Sequence, residues 1–211
     1  DSRVSRGLGD VYKRQVATEA IEQLEKFSKS DQNFFLAVGF FKPHTPYVAP
    51  KKYFDMYDIS EIDIPQMNNE FLNTIPEPAA VSLRHKADGK GNQYDLKKTE
   101  AQEIKRAYYA TITFLDAQVG RIIKKLKKTG LDKNTIIVFS SDHGYHLGEQ
   151  GHWQKQTLYE KTTRVPLIFS GPGIKKGTRS NSPVELIDMY PTLMELTGIK
   201  APDHVVGKSL V

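Results

Sequence analysis

The sequence has no cysteine among its 211 residues, so disulfide bonds, thiolate nucleophiles and cysteine-ligated metals are excluded within it. The absence leaves the cellular compartment open. No apolar run is long enough to span a bilayer; the longest, residues 34–41, suits a buried strand. There is no zinc-finger spacing, aromatic RNA-binding signature or long block of lysine and arginine, so no nucleic-acid partner is expected.

The net charge and the overall composition exclude few classes of protein. The formal net charge is +5, and 38% of the residues are hydrophobic, which is an ordinary globular composition. A mild basic excess is compatible with a polyanionic substrate, but many globular domains share it. The length allows one sizeable core or two small ones.

The first fifteen residues differ from the rest. They begin without Met and lack the apolar stretch of a signal peptide. Residues 5–15 can be encoded by DNA that resembles a transposase-based sequencing adapter read in frame. We therefore expect residues 1–15 to be a non-native leader, with the native sequence beginning inside a domain at about Val16. An ordinary disordered leader is the alternative.

The remaining pattern alternates helices with apolar strands. Helical spacing of apolar residues predicts helices at 16–29, 51–57, 98–128, 157–163 and 188–197, with Gly130 ending the longest. Residues 34–41, 135–139 and 166–170 predict strands, and residues 58–97 an irregular loop. This alternation indicates an α/β fold with a mostly parallel sheet flanked by helices. Ligands of such sheets bind beyond the carboxyl ends of the strands.

A Ser-Asp-His-Gly segment at 141–144 ends one predicted strand. Asp142 offers a hard oxygen ligand and His143 an imidazole nitrogen, which together could hold part of a divalent-cation site. A turn in which Asp142 caps the next segment and His143 only packs is equally compatible with the spacing.

His143, His146 and His152 are three and six residues apart, which could suggest a metal-binding helix face. The interspersed glycines at 144, 148 and 151 favour a loop instead. We expect the side chains of His146, Glu149 and Gln150 to be solvated in this loop.

Together these segments resemble a known family. SDHGYHLGEQGHWQK followed by RVPLIFSGPG is similar to the metal-and-sulfate motif of type I sulfatases, and FFLAVGFFKPHTPYVAP to their Lys-Pro-His segment, especially in the iduronate-2-sulfatase branch. VELIDMYPTLMELTGI and GKSL match later elements of the family in the same order. The resemblance covers about residues 16–211 and implies the C-terminal part of an alkaline-phosphatase-like catalytic domain.

The resemblance implies roles for five residues. Asp142 and His143 match metal ligands that hold Ca²⁺ in most members, with Mg²⁺ possible, although many relatives carry Asn in place of His143. Lys155 matches the lysine that contacts the sulfate. His44 matches the histidine beside the ester oxygen, which binds sulfate or protonates the leaving alcohol. His152 is expected to contact the substrate.

Two family elements are absent from the sequence. The nucleophile, a formylglycine made within a Cys/Ser-x-Pro-x-Arg motif, has no counterpart, and neither has the first Asp-Asp metal pair. Both are expected upstream of the first residue. We therefore expect this chain to be inactive alone.

The expected function of the parent enzyme is hydrolysis of a sulfate ester of a sugar or polysaccharide. The alternatives are a phosphodiesterase or phosphonate hydrolase of the same superfamily, and a non-catalytic polyanion-binding protein built on a sulfatase core. By resemblance the location is periplasmic, secreted or lysosomal. The oligomeric state is left open.

Overall fold

The structure is a computed structural model that describes residues 2–66, 70–83 and 96–211, with side chains for all of these except residues 2–13 and Leu72. Its α-helices and strands within these ranges are α1 (Ser2–Phe27), α2 (Lys51–Phe54), α3 (Phe71–Thr74), α4 (Glu77–Leu83), α5 (Lys98–Thr129), β1 (Ile137–Ser140), α6 (Glu160–Thr163), β2 (Leu167–Ser170) and α7 (Met189–Leu196). None of these helices is long and apolar enough to cross a membrane.

The chain divides into two compact units. The first unit contains Asp1–Leu131 and Gly144–Arg164, and the second contains Asp132–His143 and Val165–Val211. Each predicted functional segment can therefore be assigned to one unit. His44, His152 and Lys155 belong to the first, and Asp142 and His143 to the second.

In the first unit, α5 packs against α1 and α2. Across the α1 contact, Arg121 donates a hydrogen bond to Thr18 Oγ1 at 3.1 Å, and Lys125 pairs with Glu25. Across the α2 contact, the rings of Tyr53 and Phe114 lie 5.1 Å apart. The buried apolar side chains that these contacts enclose include Ala17, Ala20, Leu24, Ala110, Phe114 and Leu126.

The predicted bounds of α5 are confirmed. The helix starts at Lys98, where the Lys97 N–H donates to the Glu100 carboxylate at 3.0 Å, and it ends at Gly130 with φ 77°. Only glycine adopts this left-handed conformation without strain, so it stops the helix. On its buried face Phe114 and Gln118 are buried, whereas Leu115 and Val119 are half-buried.

The first helix is longer than predicted. The apolar spacing indicated a start near residue 16, whereas α1 begins at Ser2 and runs without interruption to Phe27. The prediction missed this start although Val4, Leu8, Val11 and Tyr12 recur at the i, i+4, i+7, i+8 spacing of one helix face. Their origin as a non-native leader stays a prediction.

The sheet of the second unit differs from the expected one. β1 and β2 match two predicted strands, but they pair antiparallel, with Ile137 opposite Ser170 and Ser140 opposite Leu167. They are the only strands in the described residues. A mostly parallel sheet is therefore not confirmed, although helices accompany both strands as predicted.

The third predicted strand is not formed. Residues 34–41 lie in the first unit with alternating half-buried and exposed side chains, and Phe35 is 84% exposed. A strand needs a hydrogen-bonded neighbour for its N–H and C=O groups. No described segment pairs with residues 34–41, so the apolar run remains irregular.

Asp188 lies at the start of α7, as predicted, but it does not cap that helix with its side chain. Its carboxylate instead accepts hydrogen bonds from the backbone N–H groups of Glu185 (2.9 Å) and Lys208 (2.8 Å). These bonds lower the pKa of Asp188. They hold the Gly-Lys-Ser-Leu segment against the turn before α7, where a Cβ at Gly207 would lie 2.2 Å from the Ile187 carbonyl oxygen.

Candidate functional site

The Lys-Pro-His segment of the first unit is held by a buried lysine. The Lys42 side chain is 6% exposed, and its ammonium donates hydrogen bonds to the carbonyl oxygens of His44 (2.8 Å) and Pro46. Burial lowers the pKa of Lys42. Because the lysine bonds to main-chain oxygens on both sides of Thr45, it fixes the turn that carries His44.

His44 is exposed on this turn, and one of its ring nitrogens is committed. His44 Nδ1 lies 2.8 Å from the carbonyl oxygen of Thr45, which can only accept, so Nδ1 carries the proton. The ring also packs on Phe41, with centroids 4.6 Å apart. His44 Nε2 is therefore the ring nitrogen that is available to contact a substrate.

A cluster of three tyrosines joins this turn to a second loop of the same unit. The Tyr47 hydroxyl donates to the Tyr145 hydroxyl at 2.8 Å, and Tyr108 of α5 packs on both rings at 5.6 and 5.5 Å. Burial raises the pKa of all three phenols, so they stay neutral. The structure thus brings the segment of His44 beside the start of the loop that carries His152 and Lys155.

We call residues 144–164 the Lys155 loop. Its main chain folds back on itself: the N–H of Gly144 donates to Thr162 O (2.8 Å), that of His146 to Gln154 O (3.0 Å) and that of Gly148 to His152 O (2.9 Å). A Cβ at Gly144 would lie 2.2 Å from the Lys161 carbonyl oxygen, so this close return requires glycine. The loop rather than a helix is confirmed.

The expectation that His146 is solvated is wrong. Its side chain is 0% exposed, and His152 beside it is 2% exposed, with ring centroids 4.9 Å apart. Burial, followed by the nearby His152, lowers the pKa of His146 to about 4. Because the loop returns on itself, it encloses the ring that its polar sequence seemed to leave in water.

Lys155 and Glu149 are less enclosed. Glu149 is half-buried, and its carboxylate accepts from the Leu147 N–H at 2.6 Å. The Lys155 side chain is half-exposed, and its ammonium forms no ion pair or hydrogen bond with any residue in the described ranges. The backbone bonds of the loop position Lys155, and no described carboxylate neutralises its ammonium. Such an ammonium is suited to bind an anion.

We call residues 141–143 the Asp142 turn, which follows β1 in the second unit. The side chain of Asp142 is 85% exposed. Its Oδ1 accepts from the His143 N–H at 3.0 Å, and its Oδ2 lies 3.6 Å from His143 Nε2. The structure therefore brings the two predicted metal ligands side by side.

This pair fits part of a divalent-cation site. Two donors bound to one Ca²⁺ lie at most about 5 Å apart, since each bond is about 2.3–2.6 Å long. The 3.6 Å spacing satisfies that limit. No group of three or more histidine, aspartate or glutamate side chains in the described part of the chain is arranged to hold a metal, so the pair could supply only some of the ligands.

Sequence reasoning missed the supporting residues of both segments. Lys42, Tyr47 and Tyr145 lie two or three residues from His44 or His143, and that proximity was the available signal. Tyr108 lies inside the predicted helix at 98–128, but the sequence gave no sign of its partners. For His146, the surrounding polar and glycine residues indicated the opposite of what is found.

The model of the sulfatase family matches residues 2–199 of this chain. The chain belongs to the sulfatase family. It is 41% identical over 189 residues to a sulfatase from Formosa agariphila, covering 89% of this chain and 37% of that protein. It is also 31% identical over 227 residues to iduronate 2-sulfatase from Homo sapiens, covering 92% of this chain and 41% of that enzyme.

This chain is also similar to a solved structure. The phosphonate monoester hydrolase from Silicibacter pomeroyi superposes with a TM-score of 0.75 at 31% identity, covering 89% of this chain and 39% of that one. The chain thus spans about two fifths of the length of the proteins that it matches. The alkaline-phosphatase-like fold expected from the motifs is supported by these matches.

Proposed function

We propose that this chain forms part of the active site of a hydrolase that removes sulfate from sulfated sugars or polysaccharides. The observation that carries the proposal is the Lys155 loop, in which a sulfatase-family sequence holds an un-neutralised ammonium on a rigid backbone. We use "parent enzyme" for the longer sulfatase that would contain this chain together with a nucleophile.

Each predicted residue has a role in this proposal. Lys155 binds the sulfate and stabilises the negative charge that develops on it. His44 donates its Nδ1–H to Thr45 O and presents Nε2 to the substrate; in the imidazolium form of the ring, Nε2–H would donate to a sulfate oxygen or protonate the leaving alcohol. His152 would contact the substrate; in this chain its ring packs on His146 and is 2% exposed.

Asp142 and His143 would hold a divalent cation, which we propose to be calcium, with magnesium as the alternative. Carboxylate oxygens are preferred ligands of both ions. The cation would supply Lewis-acid polarisation of a sulfate oxygen. A formylglycine, supplied by the parent enzyme, would be the nucleophile.

The Lys-Pro-His and His-Trp-x-Lys patterns favour a sulfatase, and the 31% identity to iduronate 2-sulfatase supports a sugar substrate. A periplasmic, secreted or lysosomal location follows from the same resemblance. Neither a nucleic-acid partner nor a particular oligomeric state is part of the proposal.

A second candidate is hydrolysis of a phosphonate monoester or phosphodiester. The structural match to the phosphonate monoester hydrolase at 31% identity favours it. Sulfate and phosphonate are both tetrahedral oxyanions that a cation and a lysine can bind, so the described residues are compatible with both.

The test is turnover by the parent enzyme. Purified parent enzyme would be offered sulfated disaccharides, an aryl sulfate and an aryl phosphonate monoester, and released sulfate or alcohol would be measured. We expect the highest kcat/KM on a sulfated sugar. Preference for the phosphonate would favour the second candidate, and binding of sulfated sugar without any turnover would favour a polyanion-binding protein. The 211-residue chain alone should show no turnover.

A further inference from the structure

His146 contacts the chain on both sides of Lys155. Its backbone N–H donates to Gln154 O at 3.0 Å, immediately before Lys155. Its ring Nε2 lies 3.1 Å from Thr157 Oγ1, two residues after Lys155. The buried ring and the backbone amide of His146 therefore form hydrogen bonds with the chain before and after Lys155, the residue proposed to bind sulfate.

The hydrogen bonds beyond His146 have a defined direction. The Thr162 hydroxyl donates toward the carbonyl oxygens of Thr157 (2.8 Å) and Tyr159 (2.9 Å), which can only accept. If the single proton of Thr162 is shared between these two carbonyls, Thr162 Oγ1 accepts from the Thr157 hydroxyl, 2.9 Å away, and we assign Thr157 Oγ1 as the acceptor of His146 Nε2–H.

This direction fixes the tautomer of His146. With the proton on Nε2, the other nitrogen, Nδ1, carries only a lone pair. Nδ1 is buried and makes no hydrogen bond of normal geometry with the described residues, although the main chain of Glu149 lies near the ring and favours its protonated form. A buried lone pair without a donor costs less than a buried N–H without an acceptor, so the neutral Nε2–H form is the one that this site accommodates.

We propose that His146 is a positioning residue that sets the place of the Lys155 ammonium through Gln154 and Thr157. The inference rests on the proposed function, because it concerns the cation that would bind the sulfate. It does not make His146 a catalytic residue, since its ring is enclosed by the loop and reaches the reaction only through Lys155.

Substitutions at His146 and Thr157 can distinguish the loss of their hydrogen bond from the loss of side-chain packing. His146→Gln can keep an amide N–H near Thr157 Oγ1 and remains neutral, whereas His146→Ala removes both the bond and the ring. Thr157→Val keeps the volume and shape of the side chain and removes only the hydroxyl. Exposed His204, in the second unit, provides a matched His→Ala control.

The decisive measurement is a double-mutant cycle in the parent enzyme between His146→Ala and Lys155→Ala. We expect His146→Ala to lower kcat/KM about tenfold or more, and His146→Gln and Thr157→Val to lower it less, because small displacements of a charged group are costly. In the Lys155→Ala background His146→Ala should cause no further loss. Independent, multiplicative losses in the two backgrounds would overturn the proposal, as would an unchanged kcat/KM.

A readout without activity separates this proposal from the proposed function. In the 211-residue chain, amide hydrogen exchange of Thr157, whose N–H donates to Lys155 O at 2.8 Å, should accelerate in Thr157→Val and His146→Ala and stay unchanged in His204→Ala. If the parent enzyme hydrolyses no sulfate ester, faster amide exchange of Thr157 in these variants still supports the role of His146 in holding the backbone around Lys155. Equal exchange in wild type and variants would overturn it. If His146→Ala does not fold, Thr157→Val and His146→Gln carry both measurements.

Discussion

The Lys155 loop and the Asp142 turn follow one another in sequence, but their polar groups are satisfied in different ways. In the Lys155 loop, backbone bonds and the His146–Thr157–Thr162 chain of hydrogen bonds close on residues of the same loop. In the Asp142 turn, the carboxylate is 85% exposed, and its polar partners within the described ranges are its sequence neighbours Ser141 and His143. The loop is organised by the protein itself, whereas the turn keeps a charged oxygen for a ligand to organise.

The comparison predicts two kinds of failure in the parent enzyme, and the larger is at Lys155. Lys155→Ala removes the ammonium that would neutralise charge on the transferring sulfate, so activity should fall roughly 10²–10³-fold. Since no metal site is damaged, the loss should persist at saturating calcium. The measurement is kcat/KM against calcium concentration.

Asp142→Ala provides the contrast. It removes one anionic ligand of the proposed cation, so calcium affinity and activity should fall together, and added calcium should restore part of the activity. Calcium rescue of Lys155→Ala, or a calcium-independent loss in Asp142→Ala, would show that the two segments are not divided in this way.

The second prediction concerns the closed backbone of the loop. Gly144→Ala places a methyl group where the Lys161 carbonyl oxygen lies 2.2 Å from the new Cβ, so the loop must open to accept it. Overpacking of this kind costs about 3 kcal/mol, which urea unfolding of the 211-residue chain would detect. Gly120→Ala is the matched control, because its Cβ meets nothing within 4 Å, and it should stabilise α5 by about 0.5–1 kcal/mol. Equal effects of the two substitutions would contradict a closed loop.

The third prediction is a pH dependence of the loop. The folded pKa of His146 is about 4, below its ordinary value of 6.5, so the unfolded chain binds more protons between these values. Stability is therefore full above about pH 6.5 and falls as the pH approaches 4. Between about pH 7 and pH 5 the loss should be about 2 kcal/mol.

Other groups around the ring must be controlled in this experiment. His152, Glu149 and Lys161 also act on the charge of His146, and the Tyr159 ring packs on it at 6.1 Å. His146→Gln keeps a neutral side chain at every pH, so its unfolding free energy should vary less between pH 7 and pH 5 than that of wild type. An identical slope in the two proteins would assign the pH dependence elsewhere.

Features that depend on local interactions could be predicted from the sequence, whereas features that depend on distant residues could not. α5 and Gly130 were predictable because helical periodicity and a glycine end are local signals. The strand at 34–41 was not, because apolar composition cannot show whether a neighbouring strand is present. The antiparallel pairing of β1 with β2 likewise depends on residues about thirty positions apart.

The candidate site shows the same division. The identities of His44, Asp142 and Lys155 could be read from the motifs. The burial of His146 could not, because it results from the return of the loop, which brings Gln154 and Thr157 to the ring. The ammonium of Lys42 on the carbonyl oxygens around His44 is equally a product of the folded turn.

The smallest expected effect concerns the tyrosines that join the His44 turn to the Lys155 loop. Tyr47→Phe removes the hydroxyl that donates to Tyr145 at 2.8 Å and leaves the ring in place. The loss of one such bond should lower the unfolding free energy of the 211-residue chain by about 1 kcal/mol. Tyr108→Phe is the control, because its hydroxyl makes no hydrogen bond with a described residue, and it should change the free energy by less than about 0.5 kcal/mol. If the two substitutions cost the same, ring packing rather than the Tyr47–Tyr145 bond holds the two segments together, and the His44 turn would depend on the Lys155 loop only through apolar contact.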